Sequence, residues 1–140
     1  MSDAALLAPV FVHVVLVFAL VIVTGRGRVA AVMAGEVKLK DIALDSSRWP
    51  ERLRKPANNY QNQFELPVLF YALVALVIAT SLSDRAFVIL AWGFVLSRLV
   101  HSTIHLGSNY PPHRLYAFAA GLAVLAAMWL WFALRLYVTG

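Results

Sequence analysis

The chain has 140 residues, 61% of them hydrophobic and 14% charged, with a mean hydropathy of +0.75. Soluble domains carry about a quarter charged residues, so this composition excludes a soluble globular protein and points to a single membrane domain over residues 1–140. No cysteine is present, which excludes disulfides, thiolate catalysis and thiolate metal sites. The net charge of +5 does not mark a nucleic-acid surface, because eight of the twelve Lys and Arg residues fall between Arg26 and Lys55. Such a local block reads as a topology signal, so no nucleic-acid partner is expected.

Four apolar segments predict an all-α fold, an integral membrane four-helix bundle with spans near 4–24, 56–82, 86–106 and 113–138. The first has no basic leader and no small-residue cleavage pattern, so it reads as a retained span. Residues 25–55 form a long basic connection with Arg26, Arg28, Lys38, Lys40, Arg48, Arg52, Arg54 and Lys55. Only Arg85 and Arg135 lie near the opposite helix ends. The positive-inside rule therefore places the 25–55 and 107–112 loops in the cytoplasm and both termini outside, in a multi-pass protein. Ser46-Ser47-Arg48-Trp49-Pro50-Glu51 carries an N-cap serine, an early proline and an acidic residue, so a short helix is expected to lead into the second span. Trp49 suits the membrane interface.

The second span passes without a predicted break from Asn58-Asn59-Tyr60-Gln61-Asn62-Gln63-Phe64-Glu65 into Leu66-Pro67-Val68-Leu69-Phe70-Tyr71. The 15 uncharged residues Leu66 to Thr80 would rise only about 22 Å as a helix, against a hydrocarbon core of roughly 30 Å. The polar first turns must then dip into the membrane, where amides and carboxylates are costly and usually functional.

Asn58, Asn62 and Glu65 share one helical face, with Gln61 at its edge. Arg98, His101 and His105 share a face of the third span, flanked by Ser102. Antiparallel counting sets Glu65 level with Arg98, His101 with Asn62 and His105 with Asn58. One reading is a structural Glu65–Arg98 ion pair with the amides as interhelical glue. The other is a polar pocket open to the cytoplasm that binds a small charged ligand.

Other polar positions say less. His13, alone on an apolar helix, reads as a packing residue. His101, His105 and His113 lack a carboxylate spaced to complete a site, so no metal is expected. Arg114 reads first as snorkelling, and Arg26, Arg28, Arg135 and Tyr137 as topology determinants or interface anchors.

The run Asn62-x-x-Glu65 before an aromatic, proline-containing apolar helix resembles the second-helix motif of the MAPEG superfamily. That superfamily comprises microsomal glutathione transferases, leukotriene synthase and the lipoxygenase-activating protein. The length, the basic first loop and the Arg98…His101…His105…Arg114 pattern agree, so the resemblance covers essentially the whole chain. Asn58-Asn59-Tyr60-Gln61-Asn62-Gln63-Phe64-Glu65 resembles a bacterial branch, which implies a bacterial inner membrane. The resemblance implies a homotrimer with glutathione as co-substrate between protomers. It assigns binding to Asn58, Asn62, Glu65, Arg98, His101 and His105, and thiolate stabilisation, the catalytic role, to Arg114, with His113 and Arg28 able to assist. The family has arginine where this chain has Asn58, and an amide does not replace a bidentate carboxylate clamp. Arg54, one turn nearer the cytoplasm, is the nearest basic substitute. His101 and His105 stand where tyrosine is frequent.

Three functions follow. By resemblance, the protein is a membrane-embedded glutathione-dependent transferase or peroxidase whose lipophilic substrate arrives from the bilayer lipids. The alternative is a non-catalytic lipid-binding or scaffold protein of the same fold, which Asn58 favours. A proton or small-solute path along Glu65, His101 and His105 ranks last, because the outer halves of these helices are uniformly apolar.

Overall fold

The structure, a computed structural model, describes residues 3–138. Among these residues there are only helices and connections: α1 (Asp3–Met33), α2 (Leu39–Ile42), a 3-10 turn (Ser46–Arg48), α3 (Glu51–Asn62), α4 (Leu66–Ala79), α5 (Arg85–Leu106) and α6 (Pro111–Tyr137). Four helical segments are long and apolar enough to cross a membrane: α1, α3 with α4, α5 and α6. The all-α membrane bundle expected from hydropathy is therefore the observed architecture.

Two boundaries differ from the sequence reading. The first helix does not stop near Thr24 but runs through Gly25 and Gly27 to Met33. Gly27 is there for packing. A Cβ at this position would lie 2.7 Å from Leu53 Cδ2, so glycine lets α1 and α3 approach closely. Ala31, Trp49 and Leu53 pack together beside this contact. Trp49 is consequently buried, with the Arg28 guanidinium 4.9 Å from its ring centroid, a cation–π distance. The helix that leads into the second span begins at Glu51 with Pro50 in the cap position. Asp45 accepts from Ser47 N to cap the 3-10 turn, so the Ser46 cap is not formed.

The second difference matters more. The second span is not one helix. Helical hydrogen bonding lapses at Gln63–Glu65, and α4 restarts at Leu66 with Pro67 in its first turn. Pro67 has no amide to donate to Gln63, and its ring disfavours helical geometry in the residue before it. Both α3 and α4 are retained, but their axes are joined by a non-helical corner.

Around this corner the core is close-packed. Phe70, Leu73 and Val77 of α4 meet Phe87, Phe94 and Val95 of α5 and Leu125 and Met128 of α6. Phe70 and Phe94 stack at 4.7 Å between centroids. At Gly121 a Cβ would fall 2.6 Å from Ser97 Oγ, so the glycine admits α5 against α6. Asp84 caps α5 by accepting from Phe87 N at 3.0 Å and also accepts from Trp131 Nε1 of α6 at 3.0 Å. Pro111 and Pro112 open α6 where a missing amide costs nothing. In lipid, helices associate through such packing and interhelical hydrogen bonds rather than through burial of apolar area.

Candidate functional site

The polar face of α3 lines a pocket of about 550 Å³ at the basic end of the bundle. Arg54, Lys55, Asn58, Gln61 and Asn62 border it from α3, and Glu65 from the corner that follows. His105 of α5 and Arg114 of α6 close the other side, with Asn109 between them. An adjoining recess of about 340 Å³ shares Asn62, Glu65 and Arg114 and adds His101 and Phe118. Asn58, Asn62, Glu65, His101, His105 and Arg114 thus converge from three separate stretches of chain, with His105 beside Asn58 in the pocket lining and His101 beside Asn62 in the recess.

Arg98 lies behind the pocket, 1% exposed. It does not form the expected ion pair with Glu65: among the described residues no contact within 4.0 Å joins them, and Glu65 acts on it only through longer-range attraction. Arg98 Nη2 instead donates to the Asn62 carbonyl at 3.1 Å. The reason is the corner at Gln63–Glu65. It turns Glu65 out to an exposed position and leaves the Asn62 carbonyl without a helical amide.

Arg114 is held by the turn before α6. Asn109 adopts a left-handed conformation, φ 52°, which asparagine tolerates better than most residues, and its Oδ1 accepts from Arg114 Nη1 at 2.9 Å. Several buried nitrogens around the pocket have no hydrogen-bond partner within the chain: Arg98 Nε and Nη1, His101 Nδ1, His105 Nδ1 and Arg114 Nε. The arginine nitrogens among them are donors, and a buried donor without a partner costs about 1–3 kcal/mol; a histidine Nδ1 donates or accepts according to its tautomer. The charge balance of the lining favours an anionic group. Arg54, Lys55 and Arg114 face Glu51 and Glu65 across the lining, with Arg98 behind, and Lys55 Nζ sits 3.8 Å from Glu51. The excess is positive.

The opposite face of α3 was not anticipated. Asn59 and Gln63 point inward and are buried. Asn59 Nδ2 donates to the Ser102 carbonyl at 3.2 Å, and Ser102 Oγ donates to Asn59 Oδ1 at 3.0 Å. Gln63 Nε2 reaches Asn59 Oδ1 at 3.0 Å, and Gln63 Oε1 meets His13 Nε2 at 3.0 Å. The other ring nitrogen of His13 bonds the Tyr71 hydroxyl. His13 is therefore a satisfied packing residue. The available signal was the i, i+4 spacing of Asn59 and Gln63 together with a lone histidine in an apolar span. Lys55 and Asn109 were also missed as lining residues, because each read as part of a connecting loop.

A family model described as the MAPEG family matches residues 6–134 of this chain. The match reaches into all four spans and includes every residue of the pocket. No curated protein and no solved structure gave a significant match.

Proposed function

The chain belongs to the MAPEG family, and from that premise we propose that it is a membrane-embedded glutathione-dependent transferase or peroxidase acting on lipophilic electrophiles. The observation that carries this reading is the convergence of Arg54, Lys55, Asn62, Glu65, His105 and Arg114 on one cavity of net positive lining. Glutathione carries two carboxylates, one ammonium and a thiol, so its groups complement that lining. Glu65 is placed to receive the ammonium, with Asn62 as a neutral donor beside it. Arg54 and Lys55 offer cations for a carboxylate at the outer rim, where Asn58 lacks the family's guanidinium.

Bound glutathione supplies the sulfur nucleophile. The chain's part is to hold that sulfur as thiolate: a cation near a thiol of ordinary pKa about 8.5 lowers it, and Arg114, fixed by Asn109, is the group for this task. Arg28 packs on Trp49 and borders a separate recess, and neither it nor His113 lines this pocket, so the assisting role does not fall to them. A homotrimer fits the same picture. Asn58, Gln61 and Glu65 are exposed on a segment long enough to span, and lipid contact there is costly, so further copies of the chain are the natural cover. The positive-inside rule favours this end of the bundle in the cytoplasm, with both termini outside, and the resemblance to a bacterial branch implies a bacterial inner membrane.

The second reading, a non-catalytic lipid-binding or scaffold protein, is favoured by one observation, the amide at position 58. Titration of detergent-purified protein with glutathione, followed by the ultraviolet band of a bound thiolate, separates the two. The transferase reading expects saturable binding with a thiolate band that Arg114→Ala abolishes while binding persists. Absence of binding at millimolar glutathione would leave the scaffold reading standing.

A further inference from the structure

A second cavity, of about 400 Å³, lies between α1 and α4 and shares no residue with the polar pocket. Leu7 and Val10 border it from α1, and Tyr71, Val74, Ala75 and Ile78 from α4. Its size falls within the range of about 300–1,000 Å³ that holds small molecules. Tyr71 carries the one polar side-chain group on this lining.

The hydrogen-bond polarity of that group can be worked out. Asn59 Nδ2 faces the Ser102 carbonyl, an obligatory acceptor, so Asn59 Oδ1 must point the other way. Gln63 Nε2 lies 3.0 Å from both that oxygen and the Asn59 backbone carbonyl, which leaves Gln63 Oε1 as the atom facing His13. An amide oxygen only accepts, so His13 Nε2 carries the hydrogen, and Nδ1 of the neutral ring is an acceptor. Tyr71 therefore donates its hydroxyl hydrogen to His13 Nδ1. What remains on the phenol oxygen is acceptor capacity alone. Acyl chains fill an apolar groove but have no donor to offer it.

We propose that this groove binds an apolar molecule bearing one hydroxyl-type hydrogen-bond donor, a long-chain alcohol in its simplest form, anchored by donation to the Tyr71 oxygen. The buried chain from Ser102 through Asn59, Gln63 and His13 acts as the orienting device, since it keeps the tyrosine hydrogen turned inward. The site needs no thiol, so it stands or falls independently of glutathione binding.

The test uses the full chain in nanodiscs, with carbon-13 in the tyrosine Cζ and alanine methyl positions and no thiol present. Tyr71→Phe and Ala75→Leu identify the two reporting signals. Titration with 1-decanol is expected to shift both signals saturably. Decyl methyl ether, which cannot donate, is expected to bind about tenfold more weakly, the equivalent of one net hydrogen bond. Tyr71→Phe should erase that preference as read at Ala75, and Ala75→Leu should fill the groove and remove saturation. Equal affinity of alcohol and ether in the unmodified protein overturns the proposal. So does an intersubunit disulfide formed by Ala75→Cys, a single cysteine in this chain, because a second copy would then occupy the groove.

Discussion

Arg98 caps the Asn62 carbonyl across the α3–α5 contact at 3.1 Å, and this bond, not an ion pair with Glu65, explains how a guanidinium is held inside the bundle. A charge buried on one hydrogen bond leaves the carbonyl stranded if it is removed. Arg98→Met is expected to lower stability by about 1–3 kcal/mol. Glu65→Gln, at an exposed and unpaired position, is expected to change stability by less than about 0.5 kcal/mol. Reversible denaturation in mixed micelles measures both. A large loss for Glu65→Gln would restore the ion pair.

Pro67 opens α4 just after the corner that exposes the Asn62 carbonyl, and replacing it tests whether it is what bends the span. Pro67→Ala returns an amide able to bond the Gln63 carbonyl and removes an interruption of the kind that costs a helix about 3 kcal/mol. The expected outcome is continuous helical carbon shifts through residues 63–66, unchanged or higher stability, and glutathione affinity reduced at least about tenfold, or about 1.4 kcal/mol. Unchanged shifts at Phe64 and Glu65 would show that something other than Pro67 bends the span.

The Asn59–Ser102 contact joins α3 to α5 by two side-chain hydrogen bonds. Interhelical hydrogen bonds in membranes contribute about 0.6 kcal/mol on average and up to about 1.7. Asn59→Leu and Ser102→Ala are each expected to destabilise within that range, and the double variant by less than the sum of the two. Strict additivity in the double-mutant cycle would mean that the residues do not act as a pair.

Beyond the spans, Glu36 accepts a hydrogen bond from Arg52 Nη2. This bond, reinforced by the arginine charge, holds the Glu36 carboxyl below its ordinary value. A carboxylate depressed in the folded state contributes stability above its unfolded pKa and loses it as the pH falls through the folded value. Carbon-13 titration of Glu36 should therefore show a lowered midpoint, and Arg52→Ala should return it to that of a free glutamate. An unchanged midpoint in the variant refutes the contact.

Hydropathy made the four spans legible, and helical spacing brought Asn58 and Asn62 to the same cavity as His105, with His101 in the adjoining recess. These are one-dimensional regularities, and they survive folding because a helix preserves them. The partner of Arg98 was not legible. Charge and depth nominated Glu65, but a backbone carbonyl has no sequence signature, and its availability depended on a break that Pro67 only hinted at. Asn59 and Gln63 were read as more of the same polar run because composition does not say which amide faces in. The packing of Trp49 against Ala31 and Leu53 was not legible for a related reason: it depends on α1 extending beside it.

The non-helical corner at Gln63–Glu65 also separates two kinds of tolerance. In a continuous helix, one inserted residue rotates everything beyond it by about 100°. Here the corner can absorb such a phase error, because its backbone is not committed to the helical ladder. The register of α4 is set by Phe70 and Leu73 locking into α5 and α6, whereas that of α3 is set by Leu53 against Gly27 and Asn59 against Ser102. The two halves of this span thus hold their registers by separate sets of contacts.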